Sequence, residues 1–418
     1  MNSAPETTNS PGKSITGYAE GYYGRLLSWD ERRSLIQSAA QCNFNFYLYA
    51  PKDDEQHRFK WREPYPQQWR SEFRHFANLA RDSGVQLVAG ISPGIDFKFD
   101  DLDDGADLHS LCAKAMQLID DGASGIAVLF DDIDPDFDLR RGSFESEGSA
   151  HASVANRLQQ QLAQLSSGTS HYGVPLFVVP RIYANELIAG GDPQLVSGLE
   201  DRNSNYLRDF CQCLTSDIAW FYCGREIVAR TPSVNNLNEI NGVNGLKDTP
   251  SQRIIIWDNF YANDYCPRRF YVGPWTGRQS CADIVINPTG MHYTDKLLMQ
   301  IVSSTRSTSN NHYELWCRCI KDAGVPDAFH QIAHHFSAPV LSDHTDEAVK
   351  ADNLSDQPPI TEQLAAIEQL LWHWKSTMAR EWYPYLMGLK QDLSIADGQL
   401  SELRIRKTQN LPLANLLT

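Results

Sequence analysis

Two adjacent carboxylates, Asp131 and Asp132, stand directly behind five apolar residues running from Ile126 to Phe130. Carboxyl groups delivered together raise each other's pKa, because both cannot ionise cheaply at close range. One of such a pair can stay protonated near neutral pH and act as an acid. The apolar run has the continuous pattern of a strand buried on both faces, as in a parallel sheet. In a barrel of alternating strands and helices, chemistry collects where the strands end at their carboxyl side. Asp-Asp-Ile-Asp-Pro-Asp also has the composition of a solvated turn, since Asp and Pro both favour turns. The pair alone does not decide between these readings.

The elements that would position the pair repeat along the chain. Strands are expected over residues 15–19, 44–49, 85–91, 126–130, 175–179, 218–222, 253–257 and 284–287. Helices alternate with them. The first begins at Ser28 with Glu31 in capping-box spacing. A second carries Trp69, Phe73, Phe76 and Ala80 at helical intervals, a third covers residues 106–119, and a fourth carries Val154, Leu158, Leu162 and Leu165. Eight strands with intervening helices predict an α/β fold, a (β/α)8 TIM barrel over residues 15–304. The residues after the strands are not ordinary turn formers: Gly21, Lys52, Asp131 and Asp132, Tyr183, Asp258 to Asp264, and Asn287. A barrel gathers all of these on one rim, and that convergence points to an enzyme.

Composition bounds the partners. The chain has 418 residues, 42% of them apolar, and a formal charge of −15, which argues against nucleic acid and anionic membranes. Residues 1–14 read as a loose polar tail, without the apolar core of a secretory signal. No apolar run reaches membrane-spanning length. Nine scattered cysteines suit reduced thiols in the cytoplasm. Cys211/Cys213 and Cys317/Cys319 lack zinc-knuckle spacing. His330, His334 and His335 have no Glu completing a zinc-protease motif and read as surface or interface histidines. With no Gly-rich phosphate loop or Ser nucleophile elbow either, the expectation is no cofactor and no metal. Residues 305–418 read as an all-helical C-terminal appendage, with helical segments near 313–321 and 328–336 and a linker at about 337–359. Leu364, Ile367, Leu371, Trp374 and Met378 form an apolar stripe on a long helix that Pro384 should bend or end. That stripe would suit a homodimer contact.

Six blocks then carry a family resemblance. Gly17-Tyr-Ala-Glu-Gly-Tyr-Tyr-Gly-Arg25, Tyr49-Ala-Pro-Lys-Asp-Asp54, Ile91-Ser-Pro-Gly94, Leu129-Phe-Asp-Asp-Ile-Asp134, Trp257-Asp-Asn-Phe-Tyr-Ala-Asn-Asp-Tyr265 and Asn287-Pro288 resemble the O-GlcNAcases, glycoside hydrolase family 84. The resemblance implies retaining exo-hydrolysis of terminal β-linked N-acetylglucosamine, with the substrate's own acetamido oxygen as nucleophile and an oxazoline intermediate. Such enzymes stand outside the two-carboxylate displacement scheme.

By their places in the blocks, Asp131 would orient the acetamido group and Asp132 would serve as general acid, then base. Tyr183 would bond the acetamido carbonyl, with Asn259 supporting that group and Asp131. Trp257 would wall the methyl pocket, and Gly21 and Lys52 would bind a ring hydroxyl. Asp264 and Asn287 would take the hydroxyls at the far end of the sugar. The chain departs from the family at Pro180-Arg181-Ile182, and at Phe221-Tyr-Cys-Gly-Arg-Glu226 in place of a Trp-Thr-Gly-Pro run. Both departures fall on the acetamido rim and the leaving-group side. The rival readings are a hyaluronidase-like or other hexosaminidase, and a GlcNAc-binding protein without turnover.

Overall fold

The computed structural model describes residues 13–99, 102, 105–133, 137, 140–165, 173–188, 199–239, 252–266, 268–307, 311–337 and 357–398. Eight parallel strands close into a barrel in sequence order: β1 (Thr16–Glu20), β2 (Phe46–Tyr49), β3 (Gln86–Ile91), β4 (Gly125–Leu129), β5 (Leu176–Val179), β6 (Ala219–Tyr222), β7 (Ile254–Asp258) and β8 (Ile284–Ile286). Closure pairs Thr16 with Ile284, Gly17 with Val285 and Tyr18 with Ile286.

Side chains alternate across each strand, and here the two faces have different neighbours. Ala19, Phe46, Leu48, Val88, Ala127, Leu129, Phe177, Val179, Phe221, Ile255, Trp257 and Val285 form a buried cluster of their own inside the barrel. The intervening residues, such as Tyr18, Tyr47, Ile126, Val128 and Ile256, belong to the larger core shared with the helices. Phe46 meets Phe177 edge-on at 5.3 Å across the interior. Glycines make room for both rings: a Cβ on Gly17 would stand 2.9 Å from Phe46, and one on Gly125 would stand 3.2 Å from Phe177. Side chains therefore fill the barrel interior below the strand ends.

The outer layer has α1 (Trp29–Gln41), α2 (Gln67–Asp82), α3 (Ala106–Asp120), α4 (Glu147–Leu165) and α5 (Leu199–Cys213) after the first five strands. The capping box at Ser28 and Glu31 forms as expected. After β6 the described residues hold a 3-10 turn, Val234–Glu239, and between β7 and β8 they hold no α-helix. The helix after β8, α6 (His292–Ser307), packs beside α1. Beyond it come α7 (His312–Asp322), 3-10 turns at Asp327–Gln331 and Ala333–His335, α8 (Ile360–His373) and α9 (Thr377–Ala396), which cover the segment between β7 and β8. The Phe270 ring lies 4.8 Å from both Phe336 and Trp382, and Trp316 Nε1 donates to Val272 O at 2.6 Å. The Glu381 carboxylate accepts the Tyr293 and Thr294 amides at 2.9 and 2.8 Å. It caps the positive end of α6, where an anion is favoured.

Three details differ from the sequence expectation. The apolar stripe is split between α8 and α9, and Pro384 lies inside α9 without ending it. The break comes earlier, at Trp374 to Ser376, where Ser376 caps α9 by accepting the Ala379 amide. Residues 328–336 form 3-10 turns rather than an α-helix. Most of the expected linker lies outside the described residues, as do residues 1–12 and 399–418.

Candidate active site

Strand alternation, continued a step past each strand end, lands on the site. Ala127 and Leu129 face inward on β4, so Asp131 faces inward too. The same count from Leu48 reaches Ala50 and Lys52, from Ala19 reaches Gly21, from Trp257 reaches Asn259, and from Val285 reaches Asn287. Asp132 has the wrong parity and joins the site by a different device: its φ of +55°. That left-handed conformation is one that Asp adopts more readily than most residues. Arg58 Nη2 braces this turn by donating to Asp132 O at 2.6 Å.

The result is a cavity of about 660 Å³ over the carboxyl ends of the strands. Gly21, Asp131, Asp132, Tyr183, Trp257, Asn259, Asp264 and Asn287 all line it. Of the residues expected at the site, Lys52 alone does not. Lys52 is 2% exposed, and its ammonium is bound to Asp131 Oδ2 and lies 3.6 Å from Asp132 Oδ2. Lys52 therefore meets the carboxylates rather than open space for a sugar hydroxyl.

Each carboxylate has its own surroundings. Asp131 is 5% exposed, and its Oδ1 has no partner. Burial pushes its carboxyl above the ordinary range; Lys52 opposes that rise without cancelling it, and the neighbouring Asp132 charge adds to it. Asp132 accepts from Tyr23 Oη at 2.8 Å and from Tyr183 Oη at 3.1 Å. Burial pushes its carboxyl up as well, but the Lys52 charge and these two phenols outweigh burial and hold it low. The surroundings thus push the two carboxyls in opposite directions, Asp131 upward and Asp132 downward.

The opposite wall is a chain of amides. Asn259 Oδ1 accepts from Trp257 Nε1 at 2.9 Å and from Asn287 Nδ2 at 3.0 Å, and Asn259 Nδ2 donates to Ile227 O at 3.0 Å. Asn259 thus supports Trp257 and Asn287, not Asp131. Asn287 Oδ1 is left buried without a partner. The Trp257 ring lies against Gly21, where an added Cβ would come within 2.5 Å of Cζ2. Beneath it, Trp257 meets Phe221 edge-on at 5.5 Å. Asp258, of outward parity, bonds Trp275 Nε1 and Arg278 Nε, each at 2.8 Å, and anchors the loop before β8.

Nothing in the sequence singles out Tyr23 or Arg58 as partners of Asp132. Tyr23 is one of two tyrosines after Gly21, and Arg58 sits in a long polar loop. Their link, Arg58 Nη1 to Tyr23 Oη at 2.6 Å, appears only with the fold. Glu186 and Glu226 also line the cavity unannounced. Of the three histidines of the C-terminal region, His334 and His335 have their rings 4.0 Å apart, and among the described residues no group of three or more His, Cys, Asp or Glu side chains gathers as metal ligands. His335 Nε2 is 2.7 Å from Gln363 Oε1, and His330 packs on Trp316.

A closed parallel barrel with paired carboxylates in a cavity at its carboxyl end defines a TIM-barrel protein with a constellation for acid–base work. Residues 16–321 match the family model described as beta-N-acetylglucosaminidase, and the chain belongs to that family. It is similar to the protein O-GlcNAcases of Mus musculus and Rattus norvegicus, 29% identical to each over 271 residues. That match covers 64% of this chain and 26% of each relative, so the chain spans about a quarter of the length of these relatives. Among solved structures it is similar in fold to a mutant O-GlcNAc hydrolase of Thermobaculum terrenum. The TM-score is 0.72 at 22% identity, covering 92% of this chain and 83% of that one.

Proposed function

We propose that the protein is a retaining exo-β-N-acetylglucosaminidase that removes terminal β-linked GlcNAc, including O-GlcNAc on Ser or Thr, through substrate-assisted catalysis. The observation that carries this reading is the pairing of two neighbouring carboxylates with opposite surroundings. Asp131 Oδ1 is buried and unpartnered over the barrel axis. Asp132 stands beside it, more open to the cavity, with a side chain 32% exposed.

A bound acetamido group suits that asymmetry. Its N–H donates to Asp131 Oδ1, which favours the ionised form of Asp131. Its carbonyl oxygen draws the Tyr183 hydroxyl away from Asp132. Having lost a donor, Asp132 rises toward the range in which it holds a proton. Substrate thereby pushes each carboxyl against the direction its protein surroundings give it. The acetamido oxygen attacks the anomeric carbon, the glycosidic C–O bond breaks, and the Asp132 proton passes to the leaving oxygen. Asp131 balances the positive charge on the oxazolinium nitrogen. Asp132, now a base, takes a proton from water as that water adds to the anomeric carbon. Two inversions at one centre give retention.

Trp257 offers an apolar face for the acetamido methyl. Asp264 and Asn287 take the hydroxyls at the far end of the sugar, and Gly21 offers backbone without a side chain in the way. Lys52 acts on the pair from below as a positioning residue.

A cytoplasmic site of action belongs to the same reading, supported by nine cysteines that are all unpaired. Among the described residues no helix is long and apolar enough to cross a membrane. For a homodimer through the C-terminal helices, the available surface is Trp372 and Tyr383, both exposed. Trp374 is already covered, packed 5.2 Å from Trp382 of the same chain.

Pure protein incubated with chromogenic aryl β-GlcNAc and with the matching β-glucoside tests the reading. It predicts release from the first and none from the second, which lacks the nucleophile. Equal release from both, or release from neither, removes it.

A further inference from the structure

Where the barrel closes, a buried carboxylate ties the loop after its last strand to its first strand. Asp295, in the first turn of α6, is fully buried, and among the described residues no Lys or Arg pairs with it. Four donors face it instead. Thr289 N and Thr289 Oγ1 donate to its Oδ1 at 3.1 and 2.6 Å. Gly290 N donates to its Oδ2 at 3.1 Å, and Tyr18 Oη to the same oxygen at 2.8 Å. Burial raises the carboxyl to about 7, and the Thr289 and Tyr18 hydrogen bonds offset only part of that rise. A carboxylate without a cation is costly to hold in such a place.

Helix capping accounts for only part of this arrangement. The bonds from Thr289 and Gly290 shape the turn that leads from β8 into α6, where a negative charge is favoured near the helix start. A cap of that kind has no need of Tyr18, which lies on β1, 277 positions away. The Tyr18 bond crosses the seam at which Thr16, Gly17 and Tyr18 pair with β8. Further contacts join the two loops above that seam. Tyr18 Oη is 3.2 Å from Tyr22 Oη, and a Cβ added to Gly290 would come within 2.5 Å of the Tyr22 ring. Arg25 Nη1 donates to Gly290 O at 3.1 Å. Each loop carries one edge of the sugar pocket, Gly21 on the first and Asn287 on the second. A Cβ on Gly21 would stand 3.2 Å from Asn287 Oδ1, the atom left buried without a partner.

We propose that Asp295 is a positioning residue for sugar recognition: by holding the loop after β8 against β1, it sets Asn287 for the hydroxyls at the far end of the sugar. The inference rests on the glycosidase reading and deepens it. Asp295 is not among the residues that line the cavity, so it acts through Asn287 and not on the substrate.

The test compares Asp295→Asn with Tyr18→Phe, which cuts the link across the seam and leaves the Thr289 and Gly290 bonds in place. Aryl β-GlcNAc and its 4-deoxy and 6-deoxy forms are assayed for turnover. Their non-hydrolysable S-linked counterparts are measured for binding by calorimetry. Both variants are expected to lose about three- to tenfold in kcat/KM and in affinity for the parent sugar, the worth of one neutral hydrogen bond. The loss should shrink below about twofold on the deoxy sugar that lacks the Asn287-bound hydroxyl, and on every sugar once Asn287→Ala is present, because effects passing through one group do not add. Dependence on the leaving group should stay as in the native protein, since the acid is untouched. A loss equal on all three sugars, or one that persists in full beside Asn287→Ala, overturns the proposal and leaves Asp295 a purely structural carboxylate. Native turnover and affinity in Tyr18→Phe overturn it as well, and that variant decides alone if Asp295→Asn does not fold. Native protein that binds the S-linked sugar without hydrolysing the O-linked one would count against the glycosidase reading alone, and the affinity comparisons then decide the role of Asp295. Absence of both binding and turnover removes the two together.

Discussion

The Tyr23 phenol donates to Asp132 Oδ2 at 2.8 Å, and Arg58 donates in turn to that phenol at 2.6 Å. This relay stabilises the ionised form of the group proposed to deliver a proton. A general acid works only below its pKa, so kcat/KM should fall as pH rises through the value Asp132 has in the empty enzyme. Tyr23→Phe removes one donor to the carboxylate and should move that alkaline limb upward. A pH profile of kcat/KM for both proteins reads it directly. A limb that stays put, or moves down, contradicts the relay.

Asp132→Asn separates the acid from the rest of the site. Glycosides with poor leaving groups should lose roughly 100-fold or more in kcat, the usual share of acid–base catalysis. Activated aryl glycosides, which need little protonation, should lose far less. Equal losses across a leaving-group series would assign Asp132 some other task.

Lys52 and Asp131 are a buried ion pair, 2% and 5% exposed. Removing one member strands the other, which costs about 3–5 kcal/mol in such settings. Lys52→Met should therefore lower both activity and melting temperature. Adding Asp131→Asn should restore much of the stability and none of the activity. A double variant no more stable than Lys52→Met would show that the pair is not coupled.

Much of this arrangement is legible in the sequence because it depends on local periodicity. The apolar runs place all eight strands to within about two residues, and the period of two carries Gly21, Lys52, Asp131, Asn259 and Asn287 onto the inner face. What is not legible depends on partners far along the chain. Asp132 reaches the cavity through a left-handed turn that no periodicity predicts. Tyr23 and Arg58 meet across 35 positions. Among the described residues no α-helix stands between β7 and β8, and Phe336 and Trp382 from the C-terminal region pack on Phe270 there, so an apolar stripe that reads as free for a partner is largely used at home. Pro384 lies inside α9, close to Trp382, which packs on Phe270, and to Glu381, which caps α6.

The Glu381 contact makes its own prediction. Glu381→Ala leaves the first amides of α6 without their acceptor and should destabilise the fold by about 0.5–2 kcal/mol, as for other helix caps. Chemical denaturation measures this. An unchanged midpoint would mean that the C-terminal helices contribute no support to α6.

His57 sets an acid limit on stability. It is fully buried, with Nδ1 2.9 Å from Gly90 O and Nε2 unpartnered. Burial lowers its pKa from 6.5 to about 3. Between those values the unfolded chain takes up a proton that the folded chain refuses. Stability should therefore be lost as pH falls from 6.5 toward 3, by up to about 1.4 kcal/mol per unit from this residue. His57→Gln should flatten that slope, and parallel slopes in the two proteins would exclude His57 as its source.

The claim beneath the whole account is that the nucleophile belongs to the substrate, steered by Asp131. Aryl β-glycosides whose N-acetyl group carries no, one, two or three fluorines test it most directly. Fluorine weakens the carbonyl oxygen as a nucleophile while barely changing its size. A steep, monotonic fall in kcat/KM along the series is the predicted result; rates that hardly change would put the attacking atom on the protein and contradict the account.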